Sequence, residues 1–258
     1  MNFFKDLLLV YKQAFNESLK NLKRNPIFIL MPIFYGVLYQ VAILAFTNYI
    51  APLLGVLSGF VMPLMISLIL SSYYSMLSDL IFYNRISFKN FEGTFTAYFS
   101  SIYSVYFIFI LVSWLKTLLL NNFIFILIIS IVMLILFNPI AESIYIGGEQ
   151  YQGAFIHSFN FMKENMSLWI LPFLLYLILI RLLTFDSFGP LEFILSSSLV
   201  DIVLGNFNLI FILNKGTLFT IIAMVLTGIY AVFRGNLFKI LNNSTRRKRQ
   251  FMGEFNDF

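Results

Sequence analysis

Three charged side chains interrupt otherwise apolar stretches of this sequence and lie at corresponding places in them. Asp79, Glu142 and Arg234 each follow a long apolar run, close to the end of that run. A charge at membrane depth is costly, so such residues are by default paired and functional. Two carboxylates and one arginine at corresponding places therefore predict one shared ligand site or proton path. It would lie between the second, fourth and sixth apolar runs, which end near these three residues. Anchoring of three independent side chains at the membrane interface is the competing interpretation.

The sequence offers little for other chemistry. Cysteine is absent and histidine occurs once, as His157, so thiolate sites and a histidine-rich metal site are excluded, and we expect no metal and no cofactor. We expect His157 on the solvated face of a helix. No G-x-S-x-G elbow, phosphate-binding loop or glycine-rich dinucleotide turn is present, so the sequence predicts a protein that is not an enzyme.

Composition identifies the solvent of this chain. Apolar residues make up 60% and charged residues 11% of its 258 residues, with 32 phenylalanines. Soluble domains are about half apolar and a quarter charged. The mean hydropathy of +0.87 likewise indicates a bilayer protein. The net charge of +5 arises from cations at the ends of apolar segments, which is typical of membrane orientation, so we expect no nucleic-acid partner.

An internal repeat organises the elements. Residues 11–32 and 151–172 share seven of 22 positions, which are Tyr11/Tyr151, Ala14/Ala154, Phe15/Phe155, Ser18/Ser158, Lys23/Lys163, Asn25/Asn165 and Pro32/Pro172. The first part of each copy has helical amphipathic spacing, and the asparagine is expected to end that helix before a span begins. Internal repeats are a common way to build multi-helix membrane proteins.

The apolar segments predict an all-α, polytopic membrane protein with six transmembrane helices. Their expected ranges are 26–49, 52–83, 102–120, 123–146, 168–183 and 217–233. Pro32, Pro63 and Pro172 are expected to kink spans one, two and five. Residues 186–216 are too polar to span, and they either lie on the outer surface or re-enter the membrane.

Each pair of spans follows an amphipathic link, at 4–24, 85–99 and 151–164. The predicted organisation is one membrane domain, 1–258, with repeat units at about 4–83, 85–146 and 151–241, each an interfacial helix plus a helical hairpin. Residues 242–258 form a basic tail. Fourteen lysines and arginines fall on the side of the links and termini and three on the other, which places both termini in the cytoplasm.

The pattern after span four carries a resemblance to known families. Asn138-Pro139, Glu142 and Tyr145 lead into AFIHSFNFMKENMSLWILP, and the chain closes with FRGNLFKILNNSTRRKR. This layout resembles a loose group of bacterial six-span membrane families, including those similar to the membrane domain found beside some glycerophosphodiester phosphodiesterases. The resemblance implies a six-span topology and a bacterial origin, and it brings no catalytic residues.

The sequence favours an accessory or organising component of the bacterial cytoplasmic membrane. Its expected partners are the bilayer and anionic inner-leaflet lipids, with another membrane protein or an ATPase as further candidates. A small-solute or lipid transporter or channel, with its site near the inner ends of spans two, four and six, is the alternative. A basic cluster in the tail is expected to contact anionic lipid, and it consists of Arg246, Arg247, Lys248 and Arg249.

Overall fold

A computed structural model describes residues 3–118, 123–184 and 217–244. Over these residues the chain forms helices and no strand, which confirms the all-α prediction. The helices are α1 (Phe3–Arg24), α2 (Met31–Ala45), α3 (Ala51–Leu54), α4 (Ser58–Tyr83), α5 (Phe91–Ala97), α6 (Phe99–Leu118), α7 (Phe123–Leu136), α8 (Ile140–Tyr145), α9 (Gln152–Thr184) and α10 (Thr217–Asn242). The segment 186–216 and the four basic tail residues 246–249 lie outside the described residues.

In the described part of the chain, five helical segments are long and apolar enough to cross a bilayer. They are Pro26–Leu54, Ser58–Tyr83, Ile124–Tyr145, Gln152–Ile180 and Ile221–Asn242. The pair α5 and α6, bent by 42° at its junction, becomes a sixth when it is counted as one span. The chain is thus a multi-pass helical membrane protein, with five or six candidate spans in its described residues. The end of the bundle at which α1 packs on α10 is called the α1 end.

The turn between the first two spans lies later than the sequence pattern suggested. Pro52 was expected to open the second span, but it lies in the first turn of α3, which continues the first span. The chain reverses at Gly55, whose φ of +54° and ψ of −124° suit glycine far better than a residue with a side chain. A proline in the first turn of a helix loses no internal hydrogen bond, so Pro52 tolerates this place.

The three prolines expected to kink helices have different surroundings. Pro32 lies in the first turn of α2, directly after a 3₁₀ segment at Pro26–Leu30. The carbonyl of Phe28, which Pro32 cannot bond, accepts the Met31 N–H instead. The change from 3₁₀ to α geometry therefore accommodates this proline. Pro63 and Pro172 lie inside α4 and α9, and neither helix ends at its proline.

The two copies of the repeat differ where their asparagines stand. α1 ends at Arg24, and Asn25 adopts a non-helical conformation before Pro26. α9 runs unbroken through Asn165, so the expectation that Asn165 ends the third link is wrong. The residue that follows explains the difference, because Pro26 has no N–H and disfavours helical geometry at the residue before it, whereas Met166 does neither.

The second link is helical only in its second half. Asn84 ends α4 in the left-handed conformation, and the helix α5 begins at Phe91. α5 packs along α4, where Thr94 Oγ1 lies 2.7 Å from Ser72 Oγ and the Thr94 carbonyl accepts from Ser71 Oγ at 3.0 Å. These two serines lie in the polar half of α4, so the link is attached to the span that precedes it.

Candidate functional site

Glu142 and Arg234 form a buried ion pair between α8 and α10. Arg234 Nε donates to Glu142 Oε1 at 2.5 Å, and Nη2 donates to Oε2 at 2.9 Å. The side chains are only 11% and 5% exposed, in the order Arg234 and Glu142. Such two-point contact between a guanidinium and a carboxylate fixes orientation and is among the strong charge-assisted arrangements. The sequence pointed to both residues, and the structure places them in direct contact.

A break in the fourth span completes the arginine's coordination. α7 ends at Leu136 and α8 begins at Ile140, because Pro139 cannot continue the hydrogen-bond ladder. In an unbroken helix the Asn138 carbonyl would accept from the Glu142 N–H four residues on. It accepts from Arg234 Nη2 at 2.5 Å instead. The Asn-Pro sequence therefore creates the acceptor that the arginine uses.

Aromatic rings from α9 cover the guanidinium. The Arg234 Cζ atom lies 4.9 Å from the centroid of the Trp169 ring and 5.9 Å from that of Phe173. These two residues are four apart, so they share one face of α9. Trp169 Nε1 donates to Asn138 Oδ1 at 2.9 Å, and because an indole only donates, this bond fixes which end of the Asn138 amide is oxygen. The Asn138 Nδ2 atom, pointing the other way, is buried without a hydrogen-bond partner in the described part of the chain.

Two stacked tyrosine pairs flank the ion pair. The rings of Tyr74 and Tyr145 stack at 4.9 Å, and those of Tyr176 and Tyr230 at 4.0 Å. The first pair lies within electrostatic range of Glu142, and Tyr230 lies within range of Arg234. The charges are therefore enclosed by polarisable rings from α4, α8, α9 and α10. No spacing rule in the sequence pointed to these tyrosines.

Asp79 does not join this pair, so the predicted three-charge cluster is not formed. Asp79 makes no ion pair with Arg234, and the charge that acts on it is that of Arg85. Its neighbour Ser78 faces α8 and donates to the Tyr145 carbonyl at 3.1 Å. Adjacent residues of a helix point about 100° apart. Asp79 is consequently turned away from α8 and lies partly exposed.

His157 is also placed differently from expectation. It is half-buried, with its Nδ1 atom 3.0 Å from Ser143 Oγ and its ring 5.8 Å from that of Phe238. Ser143 belongs to α8, one residue after Glu142. His157 therefore packs between α8 and α10 and does not lie on a solvated face. Among the described residues, no three histidine or acidic side chains come together as metal ligands.

An asparagine network that the sequence pattern did not indicate holds α1 to the bundle. Asn236 of α10 donates to the Asn21 side-chain oxygen at 2.9 Å. Asn21 in turn donates to the Leu80 carbonyl at the end of α4, at 2.8 Å. Lys239 donates to the neighbouring Ile81 carbonyl at 3.1 Å. Lys239 thus supplies a donor to a carbonyl at the end of α4, where helix carbonyls lack partners inside the helix, and Asn21 adds a second donor to the Leu80 carbonyl, which also accepts the Asn84 N–H.

Fold and site together define a multi-pass helical membrane protein with a buried ion pair between Glu142 and Arg234. The contacts of Arg234 with Glu142, Asn138 and Trp169 join three separate helical segments, α7–α8, α9 and α10, at one point near the α1 end. No protein-family model, no curated protein and no solved structure matches this chain.

Proposed function

We propose that this chain is an accessory or organising component of the bacterial cytoplasmic membrane that works without catalysis. One observation supports the proposal: Arg234 already donates two hydrogen bonds to the Glu142 carboxylate and one to the Asn138 carbonyl. The protein itself therefore engages these donors. An arginine that serves an enzyme or a carrier presents its donor fork to the ligand. Here the fork is closed by Glu142, which supports the role of a clamp between helices.

The proposed orientation places both termini and the amphipathic links in the cytoplasm. Its support is the distribution of lysine and arginine, because short loops rich in these residues stay on the cytoplasmic side. The proposed partners are the bilayer and its anionic lipids. Another membrane protein or an ATPase is the further candidate for what such a component would accompany.

A transporter or channel is the second candidate, and the broken fourth span favours it. Non-helical backbone at membrane depth is tolerated where it is buried in protein or lines a cavity, and transporters use such breaks to bind ions and substrates. The Asn138 amide nitrogen, which has no hydrogen-bond partner among the described residues, lies beside this break. Opening of the clamp would expose Glu142, Arg234 and this amide to a ligand.

Ion flux separates the two candidates. The protein is reconstituted into liposomes that contain a pH-sensitive dye, and a potential is imposed with potassium and valinomycin. We expect the flux of wild-type and Glu142→Gln proteoliposomes to equal that of protein-free liposomes. Flux that wild type supports and Glu142→Gln abolishes would replace the clamp with a transport site. Asp79→Asn is the matched control, because this carboxylate lies outside the pair.

A further inference from the structure

α1 has one face that is buried against α10. The buried positions recur at every fourth residue, which are Asp6, Val10, Ala14, Ser18 and Leu22. Asn236 Nδ2 of α10 donates to Ser18 Oγ at 3.1 Å on this face. α1 is therefore packed into the bundle along its length, and its remaining two faces have a fixed orientation.

A second face of α1 is apolar and exposed. Phe4 is 69% exposed, Leu8 68%, Phe15 54% and Leu19 38%. At about 100° per residue, their spacing places them within roughly 60° of one another around the helix. A continuous exposed apolar strip on a folded protein marks a contact with a protein, a ligand or a membrane.

A row of lysines borders this strip on the side away from α10. Lys5, Lys12 and Lys23 are exposed and lie within roughly 20° of one another, next to the apolar residues. α1 carries five exposed cations and a single exposed carboxylate, Glu17. The surface formed by Phe4, Leu8, Phe15, Leu19, Lys5, Lys12 and Lys23 is called the α1 strip.

We propose that the α1 strip lies on the anionic headgroups of the leaflet that meets the α1 end of the bundle. The inference rests on the membrane insertion in the proposed function. An interfacial helix buries its apolar side about 5–10 Å into the boundary of headgroups and acyl chains. Lysines beside that side extend their stems along it and keep their ammonium groups among the phosphates. Both the apolar strip and the sign of the bordering charge fit this occupant.

α9 repeats the arrangement at its first turns. Ile156 is 62% and Phe159 45% exposed, and Lys163 is exposed beside them. Phe159 and Lys163 occupy the positions that Leu19 and Lys23 occupy in the first copy of the repeat. These two pairs of corresponding residues are thus exposed in both copies, and together with Ile156 they give a second point of contact with the same leaflet, whereas Phe155, the counterpart of Phe15, packs against Phe109 and Phe137.

Tyr11 ties the two contact points together. Its hydroxyl donates to the Leu168 carbonyl of α9 at 2.9 Å. Burial raises the pKa of Tyr11 to about 12, so the hydroxyl keeps its proton and stays a donor at neutral pH. α1 and α9 are therefore held together at the pH of an ordinary lipid-binding measurement.

Spin labels on single cysteines test the contact, since the chain has no cysteine of its own. Leu8→Cys reports on the α1 strip, Gln13→Cys on the far side of α1, and Val132→Cys on exposed α7 inside the span. Each labelled protein is placed in nanodiscs of phosphatidylcholine or of phosphatidylcholine with phosphatidylglycerol, and accessibility to oxygen and to a nickel chelate is measured. We expect the Leu8 label to be shielded from the chelate most strongly with phosphatidylglycerol.

The lysines are tested by two sets of three substitutions. The triple variant Lys5→Gln, Lys12→Gln and Lys23→Gln loses roughly 1 kcal/mol of attraction to an anionic surface per lysine. The preference of the α1 strip for phosphatidylglycerol over phosphatidylcholine should therefore fall about a hundredfold. Lys20→Gln with Arg24→Gln and Lys89→Gln removes as many exposed cations away from the strip and should keep the preference.

Each outcome decides one claim. A Leu8 label open to the chelate while the Val132 label is shielded overturns the docking of α1 and leaves membrane insertion standing. If both labels are open, insertion itself fails, and the proposed function with it. Equal shielding in both lipids, unaffected by the lysine substitutions, overturns anionic recognition. Spin coupling between Leu8 labels of two chains would assign the strip to a second copy instead.

Discussion

At the scale of the residue, Arg234 owes its position to partners from three segments of the chain. A charged residue near the end of an apolar span is visible in the sequence, and this signal found Glu142 and Arg234. The Asn138 carbonyl and the Trp169 ring were not found, because their roles depend on a helix break and on tertiary packing. Asp79 likewise is a charged residue near the end of an apolar span. The direction in which its side chain points, however, depends on its position around the helix, which the count of charges does not reveal.

The Glu142–Arg234 pair should show strong energetic coupling. Removing one member of a buried pair leaves the other uncompensated, so Arg234→Gln should lower the free energy of unfolding by about 3 to 5 kcal/mol. Combining it with Glu142→Gln should restore part of this loss. SDS titration of the protein in mixed micelles measures all the variants.

Asp79→Asn is the control for this cycle. Asp79 lies outside the pair, so its loss should cost at most about 1 kcal/mol and should add to that of Arg234→Gln within about 0.5 kcal/mol. Additive losses for Glu142 and Arg234 would contradict the clamp, and coupling of Asp79 to Arg234 would restore the predicted three-charge site.

At the scale of the element, helical periodicity predicted which described segments are helical better than where the helices end. The amphipathic pattern of α1 and of the start of α9 was correctly assigned to helix, yet one proline decides whether the helix ends. Pro26 ends the helix α1 in the first copy of the repeat, whereas Met166 lets the helix α9 continue in the second copy. The turn at Gly55 was missed because the expected stop, Pro52, is equally suited to the first turn of a helix.

Two glycines of α10 allow its close packing. A Cβ at Gly228 would meet the Ile29 carbonyl at 2.9 Å, and a Cβ at Gly235 would overlap the Ile81 side chain and approach the Tyr145 hydroxyl to 3.1 Å. Because Gly235 lies next to Arg234 and Ile81 is buried, Gly235→Ala should force the Ile81 side chain out of place and crowd the Tyr145 hydroxyl, and we expect a loss of about 1 to 3 kcal/mol in the same SDS titration.

Gly59→Ala is the matched control for Gly235→Ala. Nothing lies within 4 Å of a Cβ at Gly59, and this residue is likewise inside a helix. Alanine there should be neutral or stabilising, since it forms helix more readily than glycine. Equal losses for the two substitutions would mean that close packing at Gly235 contributes nothing.

At the scale of the whole molecule, each link packs against the helical segment that precedes it. α5 lies on α4, and the start of α9 lies on α7 and α8. α1, the first described helix, packs on α10, the last described helix. This order closes the chain into a ring of segments, as three units related by rotation would do. The three-unit repeat itself stays a prediction.

The links lie at one end of the bundle, since Asn21 of α1 donates to the Leu80 carbonyl near the end of α4, and Ser78 of α4 donates to the Tyr145 carbonyl at the end of α8. The charge distribution predicts that this end faces the cytoplasm. Asn48 lies exposed near the turn at Gly55, while Asn90 and Asn160 lie exposed in or beside the links. Single cysteines at these three positions have no background in this chain. In intact cells an impermeant maleimide should label Asn48→Cys and leave Asn90→Cys and Asn160→Cys unlabelled, and after permeabilisation it should label all three. Labelling of Asn90→Cys and Asn160→Cys without Asn48→Cys in intact cells would invert the orientation and turn the fourteen cations outward, against the rule that keeps such loops inside. Labelling of Asn160→Cys without Asn90→Cys would place the two links on opposite sides and overturn the topology.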